Sequence, residues 1–101
     1  MENMEVIMQL IMYGGDAKSH AMEAIQLAKQ GEFAKAKEAL AQASESLLAA
    51  HHAQTDLLTK EAQGEQTKLS LLMVHGQDHL MTSITFVDLA KEIVALYEVK
   101  A

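Results

Sequence analysis

Proline is absent from all 101 residues, and this constrains the fold more than any single motif does. Proline breaks helices outright, costing about 3 kcal/mol in a helix interior. Ala, Leu, Glu, Gln, Lys and Met dominate the chain instead, residues that lose little on entering a helix. Only glycine is left to punctuate it. The run "KQGEF", Lys29 to Phe33, reads as a turn, with Lys29 near a helix end and Gly31 as its C-terminal cap. Gly64, followed by the polar run "EQTK", reads as a second stop.

These stops predict three helices. The first, roughly Met4 to Lys29, carries Ile7, Met8, Ile11, Met12, Ala21, Met22, Ile25 and Leu27 in a helical rhythm. The second, Phe33 to about Ala62, carries Phe33, Ala36, Leu40, Ala43, Leu47, Ala50 and Leu57 at three- and four-residue steps. The third begins between Thr67 and Ser70 and reaches almost to the C-terminus. Gly14 and Gly15 interrupt the first segment. Each costs about 1 kcal/mol relative to Ala, so the pair predicts a kink or a close approach by another backbone. The fold class is all-α: an antiparallel up-down-up three-helix bundle, one domain over residues 1–101, with helices about 40 Å long. A bundle this slender has a thin core, which favours further copies as partners, in a dimer or trimer.

Half of the residues are apolar and 22% charged, an ordered composition. The lack of Cys excludes disulfides, thiol catalysis and thiolate-bound zinc. No signal-peptide pattern and no charge-poor run of about 18 residues occurs, so a soluble cytoplasmic protein is the expectation. Eight basic residues against fourteen acidic ones leave a net charge of −6, and every basic residue is Lys. Without Arg or a basic face, nucleic-acid binding starts badly, and a guanidinium clamp for phosphate is excluded.

The third segment is too apolar for one covered face. Advancing about 100° per residue, Leu69, Met73, Leu80, Ile84 and Val87 fall together as a core stripe. Leu71, Asp78, Thr85, Leu89 and Leu96, flanked by Val74 and Met81, fall nearly opposite. Two other helices cannot shield both stripes, so a second copy of the chain is the expected cover. Asp78 lies within that second stripe. Its carboxylate there needs a hydrogen-bond partner such as Thr82 or Gln77, or a cation. On a symmetry axis, like charges from each copy would accumulate, and oxygen ligands without Cys favour a hard ion such as Mg²⁺. His75 and His79 lie one turn apart at the rim, in a band with Thr82 and Phe86. They could chelate a metal with Asp78, form a structural polar patch, or offer His75 as a nucleophile through a free ring nitrogen. No G-x-S-x-G elbow or P-loop offers a better nucleophile. His20, His51 and His52 read as surface or boundary residues.

The run "LLMVHGQDHLMTS", Leu71 to Ser83, resembles the IIA component of the lactose/cellobiose class of the bacterial phosphoenolpyruvate-dependent sugar phosphotransferase system (PTS). "YGGDAKS" (Tyr13 to Ser19), "AKQGEFAKAKEAL" and "AHHAQTDLLTKEAQGE" resemble its other stretches in order, so the likeness covers nearly the whole chain. The resemblance implies a cytoplasmic homotrimer of three-helix chains. It implies that His75 accepts a phosphoryl group from the phosphohistidine of HPr and passes it to a cysteine of the IIB component, with Nε2 as the acceptor atom. It assigns Asp78 to one divalent ion per trimer, Mg²⁺, shared by Asp78 of each subunit, and gives His79, Gln77 and Thr82 supporting places. No direct sugar contact is implied, since the membrane IIC component moves the sugar and meets this chain only through IIB. With no Arg, charge for the phosphoryl group must come from the partner, helix N-termini, His79, Lys, or neutral donors such as Gln77, Thr82 and Ser83.

Two rival readings remain. A metal-stabilised trimeric adaptor would keep Asp78 and the apolar stripe but make His75 dispensable. A histidine-containing phosphotransfer domain of two-component signalling would be a monomeric four-helix bundle and would lack the Gln77-Asp78-His79 continuation.

Overall fold

Both glycine stops end helices in the same way. The computed structural model describes residues 3–101, which form α1 (Met4–Lys29), α2 (Phe33–Ala62) and α3 (Leu71–Lys100). Gly31 and Gly64 take positive φ, 79° and 94°, a region that costs a side chain but not glycine. After α1, the N–H of Glu32 donates to the carbonyl of Leu27 at 2.9 Å, and that of Gly31 to Ala28 at 3.0 Å. After α2, Glu65 donates to Lys60 and Gly64 to Glu61, each at 3.0 Å. This is the Schellman pairing, built twice on the tripeptide Gln-Gly-Glu.

Beyond the two turns the chain behaves differently. After Gly31, α2 starts within two residues, so α1 and α2 form a tight antiparallel hairpin. After Gly64, residues 65–70 run without helix before α3 begins. Ser70 caps it: its backbone is extended and its Oγ accepts from the N–H of Met73 at 3.0 Å. The cap puts the first residue of α3 at Leu71, just beyond the predicted range for its start. Leu69 therefore precedes the helix and is 76% exposed, not part of the core stripe predicted for it.

The bundle measures 52 × 21 × 17 Å. α1 packs against both other helices, while α2 and α3 touch each other least. Toward the α1–α2 turn the core is largely alanine: Ala24, Ala28, Ala36 and Ala39 close around Val94. Toward the other end it holds larger groups, with Ile7, Leu57 and Met73 in one cluster and Leu10 and Leu80 in the next. Small residues let helices approach closely, whereas bulkier side chains fill more of the space between them. Met8, Met12 and Met22, read as part of the helical rhythm of α1, are exposed.

α3 splits as its periodicity predicts. Met73, Leu80 and Val87 are buried. On the outward stripe Leu71 is 87% exposed, and Val74, Met81, Leu89 and Leu96 are 52% to 56% exposed. Asp78 and Thr85 are exposed with them. A single chain leaves this apolar face bare. Among the described residues, no helix is long and apolar enough to cross a membrane.

Candidate functional site

α1 runs through the double glycine unbroken, and the missing side chains form a notch that α3 fills. A Cβ added at Gly14 would lie 3.0 Å from Cδ2 of His79 and 3.3 Å from its carbonyl oxygen. At Gly15 it would lie 3.5 Å from His79 Nε2. The imidazole of His79 therefore rests edge-on against bare backbone. Ser83, one turn along α3 and fully buried, fastens the contact. Its Oγ lies 2.9 Å from the carbonyl of Gly14 and 2.6 Å from that of His79, sharing one hydroxyl hydrogen between the two helices.

His75 occupies the next turn and has the opposite environment. It is exposed, while its neighbour Gly76 is buried, facing Leu10 at a Cβ clearance of 3.5 Å. The chain thus presses onto α1 through Gly76 and turns the His75 ring outward. That ring stands 5.9 Å from the ring of His79, centroid to centroid, at 29°. It borders an open cavity of about 540 Å³ lined by Leu71, Leu72 and His75. A solvent-facing imidazole beside apolar side chains and a second imidazole can act as a nucleophile toward a docked partner.

Burial, Lys18 and His75 all hold His79 below its ordinary value of 6.5, against an upward pull from Asp78. The ring in the notch is thereby kept neutral near pH 7, with one nitrogen available to accept and one to donate.

The other predicted site residues divide. Thr82 lies near His79, but its hydroxyl turns back onto the helix, donating to the carbonyl of Asp78 at 2.9 Å. Gln77 faces α2, where its Oε1 accepts from Nε2 of Gln54 at 2.7 Å. Ser83 is sealed in the α1–α3 contact, so it offers no donor to an incoming phosphoryl group. Asp78 stands in the exposed apolar stripe, and neither Thr82 nor Gln77 donates to its carboxylate: Thr82 bonds its backbone and Gln77 bonds Gln54.

No group of three or more His, Cys, Asp or Glu side chains that could hold a metal converges among the described residues. Asp78 offers a single exposed carboxylate within the uncovered apolar face.

Sequence reasoning did not connect the double glycine to His79. The signal was present, since two adjacent glycines inside a long helix call for a close neighbour, but the partner lies far along the chain.

Residues 5–98 match the family described as the PTS system, Lactose/Cellobiose specific IIA subunit. The cellobiose-specific EIIA component of Lactococcus lactis subsp. lactis is 59% identical over 91 residues, covering 90% of this chain and 78% of that protein. The crystal structure of a PTS cellobiose-specific enzyme IIA from Bacillus anthracis superposes with a TM-score of 0.93 at 48% identity, over 97% of this chain and 90% of that one. The solution structure of the IIA(chitobiose)–HPr complex from the Escherichia coli N,N'-diacetylchitobiose branch gives 0.84 at 43%, over 100% and 99%. The family match, the sequence identity and the helix arrangement agree, and the chain belongs to the lactose/cellobiose-specific IIA family of the sugar phosphotransferase system.

Proposed function

We propose that this chain is a phosphoryl carrier in which Nε2 of His75 accepts a phosphoryl group from the phosphohistidine of HPr and passes it to the cysteine of a cognate IIB component, for uptake and phosphorylation of a β-linked disaccharide. The observation that carries this reading is the contrast on α3: His75 faces solvent at an apolar rim while the neighbouring histidine is locked into the fold. A related IIA protein solved in complex with HPr supports the same donor.

In the first transfer, the P–N bond to the donor imidazole breaks as the P–N bond to His75 forms. The donor nitrogen leaves with the electron pair, so no oxidant or external acid is needed. In the second transfer the IIB cysteine attacks as its thiolate, the P–S bond forms as the P–N bond to His75 breaks, and the electron pair returns to Nε2. Because donor and product of the first transfer are both labile phosphoramidates, its catalysis reduces to alignment, exclusion of water and compensation of charge on the equatorial oxygens. His75 supplies the nucleophile, and His79, one turn away, is placed to donate to those oxygens. Leu72, beside His75 at the cavity rim, gives the visiting protein an apolar surface that displaces water.

The bare stripe of α3 supports a homotrimer in which Leu71, Val74, Met81, Leu89 and Leu96 meet their symmetry mates. Asp78 of each copy would hold one divalent cation, Mg²⁺ by its oxygen chemistry, whose contribution is to neutralise like charge. No step of the transfer passes through it.

Incubation with phosphoenolpyruvate, Enzyme I and HPr tests the carrier role. The expected product is an acid-labile, base-stable phosphoramidate on His75, and an unlabelled chain beside a working control defeats the reading. Light scattering and metal analysis test the assembly. Asp78→Leu should lose the ion yet keep or strengthen the trimer, because an apolar side chain relieves buried like charge. A wild-type monomer would defeat the trimer.

A further inference from the structure

A phosphoryl group on His75, the state required by the function proposed above, carries close to two negative charges, and this chain has no arginine to meet it. Lysine must serve. Lys35 and Lys37 face Glu32 at 3.9 Å and Glu98 at 2.9 Å. Lys60 and Lys68 border a separate groove together with Glu65.

Lys29, Lys91 and Lys100 are exposed on the surface, and Lys18 differs from all of these. It is half-buried on α1, and the residues one turn away along the helix are Gly14, Gly15, Ala21 and Met22, none able to pair with an ammonium group. Among the described residues, no carboxylate lies within ion-pair distance of it. A half-buried ammonium group with no counter-charge in the fold is free to pair with an anion that arrives from outside.

The glycine notch defines where that anion would sit. The position of a Cβ on Gly15 is 3.5 Å from His79 Nε2, and Cβ positions three residues apart on a helix lie about 5–6 Å from each other. Helical side chains lean toward the N-terminus. A Lys18 stem leaning this way runs toward Gly14, Gly15 and the His79 ring, whose proton affinity its charge lowers, with the His75 ring 5.9 Å beyond. A side chain at either glycine would block that path.

We propose that Lys18 supplies the positive charge that offsets the phosphoryl group on His75, reaching toward it across the bare Gly14–Gly15 notch and the His79 ring. In the resting chain the ammonium faces imidazoles; in the loaded chain it faces a dianion. A compact charge on a flexible stem suits a group that must be gripped and then released, where a guanidinium fork would hold it in a fixed bidentate geometry.

The test is the equilibrium partition of phosphoryl groups between HPr and this full-length chain, for wild type, K18Q, K18M and K18R. Circular dichroism and light scattering check fold and assembly. K18Q and K18M should shift the partition about fivefold toward HPr, the scale of a partly exposed charge pair. K18R should restore most of it, and added salt should shrink the difference. A wild-type chain that carries no phosphate on His75 overturns the function proposed above and this role with it. A loaded wild type with an unchanged partition in K18Q and K18M overturns the role of Lys18 alone. So does a K18R chain that behaves like K18Q, or neutral variants that fail to fold while K18R folds, which would make Lys18 structural.

Discussion

His75 and His79 are chemically identical, share one helix and stack 5.9 Å apart, yet the fold treats them in opposite ways. His79 lies in a notch cut from α1 by two missing side chains and is fastened there through Ser83. His75 is turned outward by the buried Gly76 and touches an open cavity. One turn of α3 is enough to separate an imidazole held by its surroundings from one open to solvent. Identity and spacing do not make that distinction; the opposing helix does.

The comparison breaks first at His75. His75→Ala should abolish phosphoryl acceptance in a radiolabel transfer assay, with helix content and molecular mass unchanged. Label appearing on His79 in that variant would show the two rings to be interchangeable.

The next effect concerns the notch. Gly14→Ala drives a methyl group to 3.0 Å from the His79 ring and 3.3 Å from a backbone oxygen. It should destabilise the fold by about 1–3 kcal/mol in urea unfolding. Gly15→Ala, with its nearest neighbour at 3.5 Å, meets only ordinary contact and should gain up to about 1 kcal/mol of helix propensity. Equal effects at the two glycines would mean that His79 is not seated as described.

Ser83→Ala removes the shared hydroxyl hydrogen and should cost about 1 kcal/mol, because both carbonyls keep their helical partners. The smallest effect is in pH. His79 is held below its ordinary value of 6.5, chiefly by burial, then by Lys18 and His75, with Asp78 opposing. Above 6.5 the ring is neutral in both folded and unfolded chains. As pH falls through that value the unfolded chain takes up the proton first, so stability is lost until the folded ring titrates as well. Thermal unfolding of His79→Gln should therefore depend less on pH than wild type below 6.5.

Much of the architecture was legible in the residues because its determinants are local. Without proline, the Gln-Gly-Glu stops alone delimit α1 and α2 at Lys29 and Ala62. The two stripes of α3 come from its repeat, and the bare one matches the face on which Asp78 was expected. Leu69 departed because the Ser70 cap starts the helix after it. The site was less legible. Ser83 and Gly14 meet across 69 residues of chain, and no periodicity announces such a pairing. Ser83 therefore read as an open donor, and the double glycine as a choice between a kink and a close approach. Gln77 lies within the HGQDHLM run yet serves α2, since adjacent positions on a helix face different neighbours.

The groups of this site stand on two continuous helices, with His75 little more than one turn past the Ser70 cap of α3. A site carried on helices rather than loops is held in shape by their backbone hydrogen bonds. On the function proposed above, such a site would offer the same contour to donor and recipient, and the shielding of the labile bond would pass to whichever of them is docked.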